Sequence, residues 1–93
     1  MNHNERFELW QKILDRAMEF MGEITDRVTL MIDLHNADKN YNLRLQEFLE
    51  ADEMDFAHDI CGIHRHMDRR LGSPTYGKCL DFFVPRFAGK ENE

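Results

Sequence analysis

Basic side chains are scarce in this sequence, which has 12 lysines and arginines against 18 aspartates and glutamates. The net charge of −6 disfavours a general nucleic-acid binder, because such proteins need positive charge to neutralise phosphates. No apolar run approaches the roughly 20 residues that cross a bilayer. The first residues also lack the basic-then-apolar layout of a secretion signal. These absences predict a cytoplasmic protein that binds no membrane.

Residues that several enzyme classes require are also few. Cys61 and Cys79 are the only cysteines and form no Cys-x-x-Cys pair, so the sequence predicts neither a zinc ribbon nor a disulfide framework. We expect both to be reduced and to pack as small apolar side chains. Ser73 is the only serine, and no glycine-rich phosphate loop follows a strand. The sequence therefore predicts no cofactor.

An apolar residue recurs every three or four positions through the first third of the chain. These positions, called here the N-terminal seam, are Phe7, Trp10, Leu14, Ala17, Met21, Ile24, Val28 and Met31. The pattern predicts one amphipathic helix over about residues 4–35, followed by a polar loop over 35–42. That helix would be about 45 Å long, more than so small a domain can cover. We therefore expect a homodimer that pairs through Phe7, Trp10, Leu14, Met21, Ile24 and Val28, with packing on later elements of the same chain as the alternative.

Two short helices are predicted after the polar loop. Asn42 can cap the first, over about 43–51, and Asp52 can cap the second, over about 53–61. Gly62 suits the left-handed position just past a helix end. The sequence therefore predicts that the second short helix stops there.

From residue 63 the apolar period changes to two. An aromatic and β-branched run over 79–84 follows a turn-rich stretch over 71–78. We therefore favour an antiparallel β-hairpin over 63–84. The competing interpretation extends the preceding helix to Arg70, because Ile60, His64, Met67 and Leu71 also fit helical spacing.

Together these elements predict an α+β fold in a single domain, residues 1–93. Its parts are a long N-terminal amphipathic helix, two short helices and a C-terminal β-hairpin. The last residues, 89–93, are expected to form a frayed tail.

Charge is segregated along the C-terminal half. Residues 47–59 hold six acids and no lysine or arginine, whereas residues 65–70 hold three arginines and one aspartate. Complementary charges steer protein association, so this segregation predicts a surface that binds a partner protein. The predicted contact residues are Glu47, Glu50, Glu53, Arg65, His66 and Arg69. An acidic mimic of DNA is an alternative function for the same acidic block.

A metal site is the competing hypothesis for the densest polar cluster. On a helix, Asp55 and His58 share one face, where a carboxylate and an imidazole can bind one metal ion. The His58-Asp59 pair resembles the centre of the HD phosphohydrolases, which implies His35 and a later aspartate as further ligands. The chain is shorter than the HD phosphohydrolase fold requires, which argues against this mapping. A metal-dependent hydrolase with Asp55, His58 and Asp59 at its centre is thus the alternative to a binding protein.

The C-terminal half contains two distinctive stretches, Asp55-Phe-Ala-His-Asp-Ile-Cys-Gly-Ile-His-Arg-His-Met-Asp-Arg69 and Phe82-Phe-Val-Pro-Arg-Phe-Ala88. Over about residues 50–88 they resemble a family of small phage and prophage proteins with no assigned activity. The resemblance implies an accessory protein that binds a host bacterial protein, including defence factors, and inhibits or redirects it. The leading hypothesis is therefore a non-enzymatic binding protein of this kind.

Overall fold

The computed structural model describes residues 2–89, and within that range it contains four α-helices and no β-sheet. Helix α1 spans His3–Met21, α2 spans Arg27–Tyr41, α3 spans Leu45–Glu50 and α4 spans Glu53–His66. Turns and irregular backbone follow α4. Among these helices none is long and apolar enough to cross a membrane. The α+β fold predicted from the sequence is therefore wrong, and the described fold is helical.

The single helix predicted over 4–35 is in fact two helices packed antiparallel. The chain turns after Met21, and Asp26 then caps α2 by accepting a hydrogen bond from the Thr29 amide at 2.7 Å. The antiparallel arrangement brings Trp10 of α1 beside Asp38 near the end of α2. The apolar period continues across the break because turn and cap chemistry, rather than periodicity, decides where a helix ends.

The observed helix caps differ in part from the predicted ones. The cap of α1, not predicted from the sequence, is Asn2 in a reciprocal pair with Glu5. Asn42 does not begin a helix but ends α2 with a left-handed φ of 49°, so most of the predicted 35–42 loop is helical. The predicted cap at Asp52 is confirmed, since its side chain accepts from the Asp55 amide at 2.9 Å.

The β-hairpin predicted over 63–84 is also wrong. Helix α4 continues through Gly62 to His66, in the direction of the competing interpretation, although it stops before Arg70. What remains of the predicted pairing is one antiparallel bridge between Met67 and Cys79. Beside it the Leu80 amide donates to the His66 carbonyl at 2.7 Å. The alternating pattern over 63–69 thus covers two different structures. Its first residues form the last turn of α4, and the residues after His66 pair briefly with the returning chain.

One hydrophobic core joins the helices. Its fully buried larger side chains include Ile13, Leu14 and Met21 from α1, Leu30 and Leu34 from α2, Phe48 from α3, and Phe56, Ile60 and Ile63 from α4. The Arg16 guanidinium lies 4.2 Å from the centre of the Phe56 ring and donates to the Leu49 carbonyl at 2.8 Å. Of the predicted tail, Gly89 donates its amide to the Tyr41 carbonyl, and residues 90–93 lie outside the described range.

Gly62 is required by a close contact rather than by a helix end. It lies inside α4, and a Cβ atom there would be 2.3 Å from the ring of Phe83. The ring cannot withdraw freely because it also packs against His58 and His66. The C-terminal segment therefore crosses α4 at the one residue without a side chain.

We expect Gly62→Ala to lower the free energy of unfolding by about 1–3 kcal/mol, because the added methyl overlaps the Phe83 ring. Alanine alone would favour a helix interior by about 1 kcal/mol, so the sign of the change identifies the contact. Urea unfolding followed by circular dichroism measures it.

The matched control is the same substitution in a Phe83→Ala background. With the ring removed, Gly62→Ala should stabilise the protein by up to about 1 kcal/mol through helix propensity. Destabilisation of equal size in both backgrounds would contradict the assigned contact.

Candidate functional site

The last described residues cross α4 and are fixed to it by Asp59. We call residues 80–88 the C-terminal strap. The Asp59 carboxylate is fully buried, and its two oxygens accept the backbone amides of Arg86 and Phe87, each at 2.9 Å. The Phe87 ring stacks on Phe48 of α3, with centroids 5.5 Å apart. The strap is therefore held at one end by a buried charge and by an aromatic stack.

Phe83 holds the other end of the strap. Its ring stacks on His66 with centroids 5.1 Å apart and an interplanar angle of 22°, and it lies 5.8 Å from the ring of His58. The Tyr41 hydroxyl donates to the Phe83 carbonyl at 3.3 Å. These contacts fix the side-chain direction of Phe83, and with it the opposite direction of its neighbour.

Phe82 points into solvent with 97% of its surface exposed. It and Asp81 both have left-handed backbone, with φ of 57° and 58°. For side chains other than glycine this conformation costs about 1–2 kcal/mol per residue. Such strain occurs where surrounding contacts over-determine the backbone, and it concentrates at functional sites. The next exposed apolar side chain along the strap is Val84, so the strap presents an apolar tip.

Charged groups of α4 pair with both ends of the strap. His66 Nδ1 is 3.4 Å from an Asp81 carboxylate oxygen, and an Arg86 nitrogen is 3.6 Å from an Asp55 oxygen. Arg65 is exposed on α4, beside His66 in the chain. It also lines an open groove of about 570 Å³ together with Met21, Ile24, Cys61, His64 and Arg69. Arg65 thus adds an exposed positive charge near the end of α4, in a groove whose lining includes no strap residue.

Arg69, by contrast, hydrogen-bonds a buried carboxylate although its own side chain is partly exposed. Its Nε and Nη2 donate to the two oxygens of the fully buried Asp33 at 2.9 and 2.8 Å. His64 Nδ1 lies 2.9 Å from Asp33 Oδ2. The hydrogen bonds that Arg69 donates to the Asp33 carboxylate raise the pKa of Arg69. Arg69 therefore ties the chain after α4 to α2.

Asp68 organises the loop that follows α4. Its buried carboxylate accepts hydrogen bonds from the side chain and amide of Arg70 and from the hydroxyls of Ser73 and Thr75. These bonds, with Arg70 the largest contributor, hold the pKa of Asp68 far below its usual range. The aspartate stays charged because the loop supplies donors on every side.

The six predicted partner contacts do not form one surface. Glu47 and Glu50 are exposed on α3 and Glu53 is exposed at the start of α4, whereas Arg65, His66 and Arg69 lie at or just after its end. Twelve residues of helix separate Glu53 from Arg65 by about 18 Å. Acids in the first turn and bases in the last turn also complement the helix dipole, which accounts for part of the charge segregation.

The predicted metal cluster is occupied by protein contacts. Asp59 accepts the strap amides, and His58 Nδ1 lies 3.1 Å from Asp59 Oδ1. Asp55 pairs with Arg86. Over residues 2–89 no group of three or more His, Cys, Asp or Glu side chains is placed to hold a metal ion. The acid and imidazole spacing along α4 therefore serves attachment of the strap.

The predicted self-association residues fall into two groups. Leu14 and Met21 are buried within the chain, and Trp10 is partly buried, where its indole nitrogen donates to Asp38 at 2.8 Å. Phe7, Ile24 and Val28 are exposed. The break between α1 and α2 splits the seam in this way, because residues after the turn no longer continue the face that α1 buries.

Both cysteines are free thiols and partly buried. Burial raises the pKa of the Cys61 and Cys79 thiols, which keeps them protonated and weakly nucleophilic. Cys61 contacts the Met21 sulfur at 3.9 Å. The expectation that the two cysteines are reduced, apolar packing residues agrees with these environments.

Sequence reasoning missed Phe82 and the buried aspartates Asp33 and Asp38. In the sequence Phe82 belongs to an apolar run, and nothing there distinguishes it from its buried neighbour Phe83. Asp38 accepts from Arg6 and Trp10 side chains and from the Leu43 amide. A carboxylate on an otherwise apolar helix face, four residues before a helix end, was the available signal.

Because the folded pKa of Asp68 lies below its unfolded value near 4, this group stabilises the fold fully above about pH 4. The stabilisation falls as pH drops below that value, since the unfolded chain takes up a proton that the folded chain does not. We expect Asp68→Asn to be less stable at pH 7 and to lose part of the pH dependence of unfolding between about pH 4 and 2. Urea titrations at a series of pH values measure this slope, and Glu8→Gln, an exposed carboxylate replacement, should keep the wild-type slope.

No curated protein and no solved structure matches the chain. A family model matches residues 5–89, which takes in all of α2, α3, α4 and the strap and nearly all of α1. The chain belongs to that family, a family of unknown function designated DUF6874.

Proposed function

We propose that this protein is a non-enzymatic binding module that attaches to a partner protein through the apolar tip of the C-terminal strap. The observation that carries the proposal is Phe82, which is 97% exposed on strained backbone while Phe83 is fixed in place beside it. A strained, exposed aromatic side chain adds nothing to folding. Its value lies in what it contacts outside the chain.

The composition of the surface supports a protein partner. Aromatic residues and arginine are the side chains that most often dominate binding energy at protein interfaces. Phe82 and Val84 supply an apolar anchor, and Arg65, next in the chain to the His66 on which Phe83 stacks, supplies an exposed positive charge near the end of α4. The complementary partner surface has an apolar pocket beside a carboxylate.

Rigidity of the strap favours affinity. Asp59 fixes the strap amides, Phe87 stacks on Phe48 and Phe83 stacks on His66. A side chain that is presented on a fixed backbone loses little conformational freedom on binding. The hydrogen bonds from the strap amides to Asp59 of α4 thus help to hold Phe82 in the exposed position that binding requires.

The resemblance to phage and prophage proteins adds a setting to this proposal. In that setting the partner is a host bacterial protein, including a defence factor, and binding inhibits or redirects it. The acidic residues Glu47, Glu50 and Glu53 lie at the other end of α4 and are not part of the proposed contact.

We expect Phe82→Gly to separate stability from binding. Glycine adopts positive φ readily, so the free energy of unfolding should stay the same or rise by up to about 1 kcal/mol. Partner affinity should fall at least about tenfold, the effect of truncating an aromatic anchor. The immobilised protein is used to capture proteins from bacterial lysate, and the captured protein is then titrated against each variant. Leu71→Ala, which truncates an exposed apolar side chain away from the strap, is the control.

Arg65→Glu should weaken the same partner about tenfold without unfolding the protein, because Arg65 is exposed and the partner contact is electrostatic. Lys12→Glu introduces the same change of charge on the exposed side of α1 and should leave affinity unchanged. Equal capture of the same protein by the wild type, Phe82→Gly and Arg65→Glu would contradict the proposed surface.

A further inference from the structure

Helix α2 has apolar residues on its outer side as well as its inner side. Leu30, Leu34 and Ala37 are buried against the rest of the chain. On the other side Val28 is 62% exposed and Ile32 is 45% exposed, and Met31 is also exposed. A helix that is apolar on both sides is typical of one covered on both sides.

The exposed apolar residues have the spacing of a helix-pairing face. Within α2, Val28 is followed by Met31, Ile32 and His35 at three, four and seven positions, and Ile24 is exposed in the turn before the helix. We call Ile24, Val28, Met31, Ile32 and His35 the outer face of α2. Steps of three and four align side chains along one side of a helix, where a second helix can interlock with them. The occupant that this pattern fits is therefore another helix of similar length.

Charges at the two ends of the outer face complement each other. Glu23 and Asp26 lie at its N-terminal end, and Lys39 lies at its C-terminal end, all exposed. When two copies of α2 lie antiparallel about a two-fold axis near Met31, the acidic end of one copy, with Asp26 and with Glu23 in the preceding turn, faces the end of the other copy that carries Lys39. A parallel arrangement would place equal charges together. Antiparallel pairing also opposes the two helix dipoles.

From this self-complementary pattern we infer that the protein forms a homodimer in which the outer faces of α2 pair antiparallel. The contact is isologous, so each favourable charge pair occurs twice. A second copy of this chain brings the needed helix, the needed apolar residues and the needed charges. This inference does not rest on the proposed function, because the strap and Arg65 take no part in it.

The expected dimer is weak. A helix of 15 residues is about 22 Å long, and one outer face covers well under the roughly 800 Å² per partner of a standard interface. We therefore expect reversible dimerisation, with the monomer folded on its own because its core is complete. The dimer should therefore appear and disappear with concentration.

Sedimentation velocity from about 5 to 500 µM tests the inference. The wild type should shift from monomer to dimer over this range, and Val28→Glu should stay monomeric with an unchanged unfolding midpoint, because Val28 is exposed. Phe82→Gly should dimerise like the wild type, which separates this contact from the strap.

A charge exchange tests the antiparallel register. Glu23→Lys alone and Lys39→Glu alone should each weaken the dimer several-fold, and the double variant should restore it, because the acidic end of each copy faces the end of the other that carries Lys39. A wild type that is monomeric at 500 µM would overturn the inference, as would an unchanged dimer in Val28→Glu. If the double variant does not recover the dimer, the antiparallel pairing is wrong. If the chain never dimerises and another protein binds at Val28 instead, the pairing is also wrong.

Discussion

A buried carboxylate needs hydrogen-bond donors, and Asp59 finds them in the backbone of the C-terminal strap. The amides of Arg86 and Phe87 satisfy its two oxygens, so a charge in the core and a chain segment outside any helix stabilise each other. Without the carboxylate the strap amides would be left without these partners. Without the strap the charge would be buried alone. Together with the packing of Phe83 on His66, this contact sets the position of Phe82 and with it the proposed binding surface.

The same arrangement recurs in three other buried aspartates, Asp33, Asp38 and Asp68. Each accepts several hydrogen bonds from residues distant in the chain or from the loop that follows it. In the described part of the chain no buried side-chain nitrogen or oxygen lacks a partner. Polar clusters that have the composition of a catalytic centre here join loops to helices. This leaves the exposed apolar groups, rather than the acids and histidines, as the features that folding does not explain.

The sequence predicted local chemistry better than long-range arrangement. The cap at Asp52 was predictable because a side chain that bonds an amide three residues away needs only local information. Arg65 and His66 were predicted as contact residues from charge alone, and of the two His66 contacts the strap, through Phe83 and Asp81. Phe82 was not predictable, because its exposure depends on where Phe83 packs. The hairpin was predicted from alternation, which a helix end followed by a returning chain can imitate.

The sequence by itself determined the cap at Asp52 and the charge at each end of α4, since these depend on residues within one or two turns of each other. Only the tertiary structure decided that the N-terminal seam folds back on itself, and that Gly62 admits the ring of Phe83. It likewise decided that the His58-Asp59 pair anchors a strap. The physical reason is that burial and pairing of a charge are set by residues far away in the chain. From the sequence alone, a carboxylate that binds backbone amides cannot be distinguished from one that binds a metal ion.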